Sequence, residues 1–135
     1  MRSRFKLAVL TIVAACSLLA CGQKHSILGE WTIDGGPVPM TQTFEADGTS
    51  VLVTHIPSST IEMTVTSTYA LDGDKLSGKG VSITIKGADK ATEAAMRAAT
   101  DKELGKEAST KIEWISNDEF KTDYQGMKVT YRRKK

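Results

Sequence analysis

The sequence predicts an all-β protein: eight antiparallel strands in meander order, closed into an up-and-down barrel, with one helix inserted between the fifth and sixth strands. Three observations lead there. Apolar residues recur at every second position through most of the chain beyond residue 26, the signature of strands with one buried and one solvated face. Turn chemistry of the Asp-Gly and Gly-Pro kind separates these stretches at short intervals. One segment, Asp89 to Ala108, changes to a helical composition rich in Ala, Glu, Lys and Met. No second layer of helices could cover a flat sheet, so closing the sheet on itself removes both edges and gives the apolar faces one shared interior. A two-sheet sandwich is the competing architecture.

Ile27 to Ile33 forms the first predicted strand, with Trp31 and Ile33 on one face and Glu30 and Thr32 on the other. Asp34-Gly35-Gly36-Pro37 ends it. Met40, Gln42 and Phe44 alternate in a second strand, and Asp47-Gly48 turns the chain into a third, Thr49 to Ile56, stopped by Pro57. The fourth has the clearest pattern: Ile61, Met63, Val65, Ser67, Tyr69 and Leu71 share a face, opposite a row made mostly of threonines. After Asp72-Gly73-Asp74, Leu76 to Lys86 supplies a fifth strand with Val81, Ile83 and Ile85 inward, and Gly78 and Gly80 mark a bulge or bend. The helix then runs from Asp89 and ends near Gly105. It groups Ala91, Ala95, Ala98 and Ala99 with Met96 and Leu104, a face with little area to bury. Three more strands follow: Thr110 to Ser116 with Ile112 and Trp114 aligned, Glu119 to Tyr124, and Met127 to Arg133 with Met127, Val129 and Tyr131 aligned.

The start of the chain is of another kind. Arg2, Arg4 and Lys6 precede an apolar run from Leu7 to Ala15, too short to span a membrane comfortably, which is the order of a secretory signal. Leu18-Leu19-Ala20-Cys21 closes it and resembles the lipobox of bacterial lipoproteins, with an apolar residue three before the cysteine and a small one just before it. The resemblance implies cleavage before Cys21 and lipidation of that residue with diacylglyceryl and acyl (palmitate-type) chains. The chain then divides into a signal peptide at 1–20, a lipidated tether at 21–26 and a barrel domain at 27–135. Gly22, not an aspartate, follows the cysteine, which by the same resemblance implies the outer membrane, facing the periplasm.

With the signal removed the balance of charge changes. Three of the 18 basic residues leave, and fifteen then face 16 acidic ones, so the formal +2 of the full sequence falls to about −1. No nucleic-acid surface is implied. Cys16 leaves too, so Cys21 is the one cysteine of the mature chain and the fold relies on core burial without a disulfide.

Candidate chemistry is sparse. His25 falls in the tether and His55 at the end of the third strand, neither at metal-ligand spacing from a partner. No nucleophile elbow or phosphate-binding glycine loop is present. The acidic pairs sit in turns or on a solvated helix face. The expectation is a protein that is not an enzyme and carries no cofactor and no metal.

Leu28-Gly29-Glu30-Trp31, Phe44-Glu45-Ala46-Asp47-Gly48-Thr49 and the Tyr69-to-Leu76 turn, taken in order, resemble the lipocalin-like lipoproteins of bacteria, a calycin-type β-barrel. That resemblance implies that Trp31 closes one end of the barrel under a late arginine, Arg132 or Arg133. The inserted helix departs from the usual lipocalin plan. An eight-stranded barrel is either just filled by its side chains or holds one small ligand. The candidate interior comprises Trp31, Met40, Phe44, Met63, Val65, Tyr69, Ile83, Trp114, Met127 and Tyr131, with Gln42 and Ser67 as further polar groups. Met96 and Leu104 on the helix are candidates for a lid. The functional expectation is a membrane-anchored binding module for a small hydrophobic ligand. The alternative is a protein-interaction module, such as a periplasmic enzyme inhibitor or an envelope assembly factor.

Overall fold

The structure, a computed structural model, describes residues 25–135. The signal segment and Cys21 lie outside the described residues. Among the described residues nine strands form one continuous antiparallel sheet: β1 Gly29–Asp34, β2 Met40–Phe44, β3 Thr49–His55, β4 Glu62–Asp72, β5 Lys75–Lys86, β6 Glu107–Lys111, β7 Glu113–Ser116, β8 Glu119–Tyr124 and β9 Met127–Arg133. Their spatial order is β6-β5-β4-β3-β2-β1-β9-β8-β7. The first and last strands in that order are consecutive in sequence, so the sheet curls into a nearly closed barrel rather than dividing into a sandwich.

The ninth strand arises from a break. The sequence predicts one strand from Thr110 to Ser116, but Ile112 divides it into β6, which pairs with β5, and β7, which pairs with β8. At that corner the Ile112 N–H donates to Asp74 O at 2.7 Å, while the side chain is buried in the core. Alternation of Ile112 with Trp114 runs through the break because both still face inward; only the partner strand changes. Between β6 and β8 there is no ladder. Threonine hydroxyls bridge that seam instead: Thr110 Oγ1 and Thr122 Oγ1 are 2.7 Å apart, and Thr122 Oγ1 donates to Lys111 O at 3.2 Å.

β4 and β5 are the longest strands and carry the expected bulge. Their register shifts between Thr66–Ser82 and Ser67–Gly80, which leaves Val81 without a cross-strand partner. Val81 is therefore 58% exposed and not inward as expected, while Ile83 and Ile85 return to the inner face opposite Val65 and Met63.

Helix α1, Lys90–Thr100, is capped by Asp89, whose carboxylate accepts from Thr92 N at 2.7 Å. A 3-10 turn, Asp101–Glu103, ends it earlier than the Ala-rich composition implies, and β6 has begun by Glu107. The face turned to the protein also differs from the expectation. Ala91, Ala95, Ala98 and Ala99 are exposed, whereas Thr92, Met96, Arg97 and Thr100 are half-buried. Larger side chains gain more by burial than alanine methyls, and Met96 decides the rotation. The helix packs on β5, where Arg97 Nη1 donates to Ile83 O at 3.1 Å. Leu104 enters beside Gly80 on the inner face of the strand, where any β-carbon would stand 3.1 Å from Leu104 Cδ2.

Candidate functional site

The register assigns every connection to one of two ends. The β2–β3, β4–β5 and β7–β8 turns, both described termini and the Trp31 side chain lie at one end; the β1–β2, β3–β4 and β8–β9 connections and the helix lie at the other.

The first end is plugged. Trp31 has no exposed surface; its Nε1–H donates to Ile27 O at 2.8 Å, and its ring meets Phe120 edge-on at 4.8 Å. Phe120 in turn stacks on Tyr131 at 4.5 Å. Of the two candidate arginines, alternation along β9 puts Arg133 with Val129 and Tyr131 on the inner side and Arg132 outside, where it pairs with Asp34. The Arg133 guanidinium carbon lies 4.2 Å from the Trp31 ring centroid. Its nitrogens also donate to Leu28 O, to Ser26 O at 2.7 Å, to Asn117 O at 2.9 Å and to Asp118 Oδ1 at 3.0 Å. Gly29 makes room for this fork: its φ is +114°, and a β-carbon there would lie 3.1 Å from Arg133 Nη1. His25, expected in the tether, packs against the outside of the plug. It stacks on Trp114 at 4.7 Å, and its Nδ1–H donates to Asn117 Oδ1 at 2.6 Å.

Above the plug is a cavity of about 430 Å³. Ile33, Met40, Phe44, Leu52 and Leu76 supply its apolar wall. Gln42, Ser50, Ser67 and Tyr131 form a polar belt inside it, in which the Tyr131 hydroxyl donates to Gln42 Oε1 at 2.9 Å. Burial, with Tyr124 as a smaller influence, pushes the Tyr131 phenol well above its ordinary value, so it stays neutral. Tyr69 contributes its ring, but its hydroxyl is committed to Glu45 O at 2.7 Å. Burial raises its pKa, and the carboxylates of Asp47 and Glu45 add to the effect. On the seam side, where no ladder joins β6 to β8, the cavity is lined by residues 108–110 of β6 and by residues 123–125 at the end of β8.

Four residues of the candidate interior therefore line the cavity: Met40, Phe44, Tyr69 and Tyr131. Trp31 and Trp114 belong to the plug below it. Met63, Val65 and Ile83 share the inner face of the β4–β5 extension but lie outside the cavity lining. Met127, at the start of β9, is 42% exposed. Neither Met96 nor Leu104 is among the residues that line the cavity; the helix is seated on β5, and Leu104 packs against Gly80, opposite the cavity-lining Ser67. Leu52, Ser50 and Leu76 join the cavity although sequence reasoning did not single them out; their inward alternation with β2 and β4 neighbours was the available signal. Among the described residues no group of three His, Cys, Asp or Glu side chains could hold a metal ion, and no helix is long and apolar enough to cross a membrane.

No protein-family model and no curated protein matches the sequence. Solved structures do match in shape. An uncharacterized protein from Bacteroides eggerthii superposes with a TM-score of 0.51 at 17% identity, covering 81% of this chain and 100% of its own. A lipocalin-like protein from Bacteroides uniformis superposes with a TM-score of 0.53 at 18% identity, covering 80% of this chain and 98% of its own. At such identities the likeness concerns the fold. The plugged end, the single continuous sheet and this superposition together identify the architecture as a lipocalin-like β-barrel, nearly closed, with one short helix between β5 and β6.

Proposed function

We propose that this protein is a binding module that holds one small hydrophobic molecule inside its barrel. The observation that carries this reading is the cavity of about 430 Å³, within the range of small-ligand sites, mostly apolar and with a few placed polar groups. A plug at one end gives such a site a floor. The test uses N-phenyl-1-naphthylamine, a neutral dye that brightens in apolar surroundings. Wild-type protein should bind it at a single saturable site. Ser67→Phe, which fills the cavity from the β4 side, should keep the melting temperature near wild type and abolish dye binding. A dye signal that survives Ser67→Phe, or a wild type that binds no dye, defeats the proposal. In that second case, a protein that co-purifies with the ligand-free barrel would favour the interaction-module alternative.

The binding module is further proposed to be anchored at the bacterial cell envelope through lipid on Cys21, at the outer membrane and facing the periplasm. Support comes from the order of the first twenty-one residues: basic, apolar, small, cysteine. Acyl chains contribute about 0.8 kcal/mol per buried methylene, and stable attachment takes more than one chain. Cys21→Ser should therefore yield an unprocessed precursor or a soluble exported form. Membrane fractionation of Cys21→Ser after a high-salt wash, matching wild type, would remove this part of the reading.

A further inference from the structure

The groups that line the cavity say which head group it accepts. None of them is Lys, Arg or His. Their ionisable members are Asp123 and three tyrosines, of which Tyr131 and Tyr69 give their hydroxyl protons to Gln42 Oε1 and Glu45 O. Burial holds both phenols neutral. The one carboxylate residue lies at the rim, at the end of β8.

Lysines do stand outside the seam, and each has an acidic residue as a spatial or cross-strand neighbour. Lys111 Nζ is 3.5 Å from Asp74 Oδ2, Lys121 is directly opposite Glu113, and Lys128 is directly opposite Asp123. A carboxylate drawn into the cavity would lose its hydration with no cation to replace it. One left at the mouth would meet Asp123 and a surface with no excess positive charge. Burying an unpaired anion is far less favourable than burying a hydroxyl that finds a partner.

Partners for a hydroxyl are available inside. Ser67 lines the cavity and makes no side-chain hydrogen bond among the described residues; opposite it on β5 is Gly80, beside which Leu104 packs without joining the lining. On its other side it faces Ser50, whose hydroxyl is engaged only by a long 3.4 Å bond from Gln42 Nε2. Ser67, Ser50 and Gln42 thus offer donors and acceptors that are wholly or partly unspent.

We propose that the cavity selects uncharged apolar molecules bearing a hydroxyl over their carboxylate counterparts, with the hydroxyl directed inward to Ser67, Ser50 and Gln42. This rests on the cavity being the ligand site, and the experiment separates the two claims. N-phenyl-1-naphthylamine bound to the wild-type protein is displaced at neutral pH by dodecanol or by dodecanoate, which share one chain. Dodecanol should compete at least about tenfold more strongly than dodecanoate. Ser67→Ala should weaken dodecanol by about three- to tenfold, with displacement converted to affinity through that variant's own dye dissociation constant. Equal or stronger competition by dodecanoate overturns the selectivity, and an unchanged dodecanol affinity in Ser67→Ala overturns the inward orientation. Either result leaves the ligand site standing, whereas failure of the dye itself to bind removes the site.

Discussion

Trp31→Ala tests the plug on which the cavity rests. The indole is fully buried, shares its faces and edges with Phe120, Trp114 and Arg133, and donates one hydrogen bond to Ile27 O. Truncation removes the largest side chain of the core and leaves a void that the surrounding β-sheet cannot collapse into. For tryptophan the combined transfer and cavity loss is about 3–5 kcal/mol. A domain of this size loses about 4 °C of melting temperature per kcal/mol, so a fall of about 12–20 °C is expected. That is a large share of the roughly 5–15 kcal/mol that holds a small domain together. Trp31→Phe separates packing from hydrogen bonding, because it keeps an aromatic ring under Arg133 but loses the N–H. Its expected loss is about 1–2 kcal/mol. Urea titrations and thermal melts followed by far-ultraviolet circular dichroism measure both, with the denaturant slope checked for constancy between variants. A Trp31→Ala fall below about 4 °C, or a Trp31→Phe variant as damaged as Trp31→Ala, would refute the packing argument.

Arg133→Lys keeps the charge but not the planar fork, so it should cost about 1–2 kcal/mol and speed amide exchange over residues 25–28, where the fork holds the Ser26 and Leu28 carbonyls. An exchange pattern identical to wild type would show that the N-terminal strap does not depend on it. Tyr131 should make the protein sensitive to alkali. Its folded pKa lies above the unfolded value of 10.0, so the folded state keeps a proton that the unfolded state gives up, and stability present below that pH is lost as pH rises beyond it. Unfolding free energies of wild type and Tyr131→Phe should therefore converge between neutral pH and pH of about 11; parallel pH profiles would count against the buried phenol. Finally, replacing residues 89–106 with a short Gly-Ser linker should lower the melting temperature, because the helix that packs on β5 beside the buried Ile83 and Ile85 is lost, yet leave N-phenyl-1-naphthylamine affinity unchanged. Faster or looser dye binding in that variant would restore the helix to the role of a lid.

Much of the barrel was legible in the residues. The alternation from Met63 to Leu71 specified β4, Asp47-Gly48 specified the β2–β3 hairpin, with Gly48 at φ +87° and Asp47 Oδ1 accepting from Thr49 N, and Gly78 and Gly80 announced the bulge of β5. Trp31 was legible as the closing tryptophan. The choice of Arg133 over Arg132 was not, because both are arginines one residue apart; only the register of β9 against β1 says which one faces inward. Val81 was misplaced for a related reason: its apolar character suggested an inner position, but a bulge shifts the phase of everything on one side of it.

The candidate site was legible only in part. Met40, Phe44, Tyr69 and Tyr131 follow from alternation, yet Met63 and Val65 show the same alternation and lie outside the cavity. Period-two patterning is a property of neighbours in the chain, and it determines which side chains face the interior. It carries no information about depth along the barrel axis, where the plug ends and the empty volume begins. Those follow from which strands pair, how far each is staggered, and where Ile112 turns the chain from one partner to another. By itself the sequence determined the class of fold and the inward face of most strands, and its lipocalin resemblance implied the closing role of Trp31. The break at Ile112, the Thr110–Thr122 seam, the docking of His25 and the polar belt beneath the opening were decided by contacts between residues far apart in the chain, which only closure of the sheet brings together.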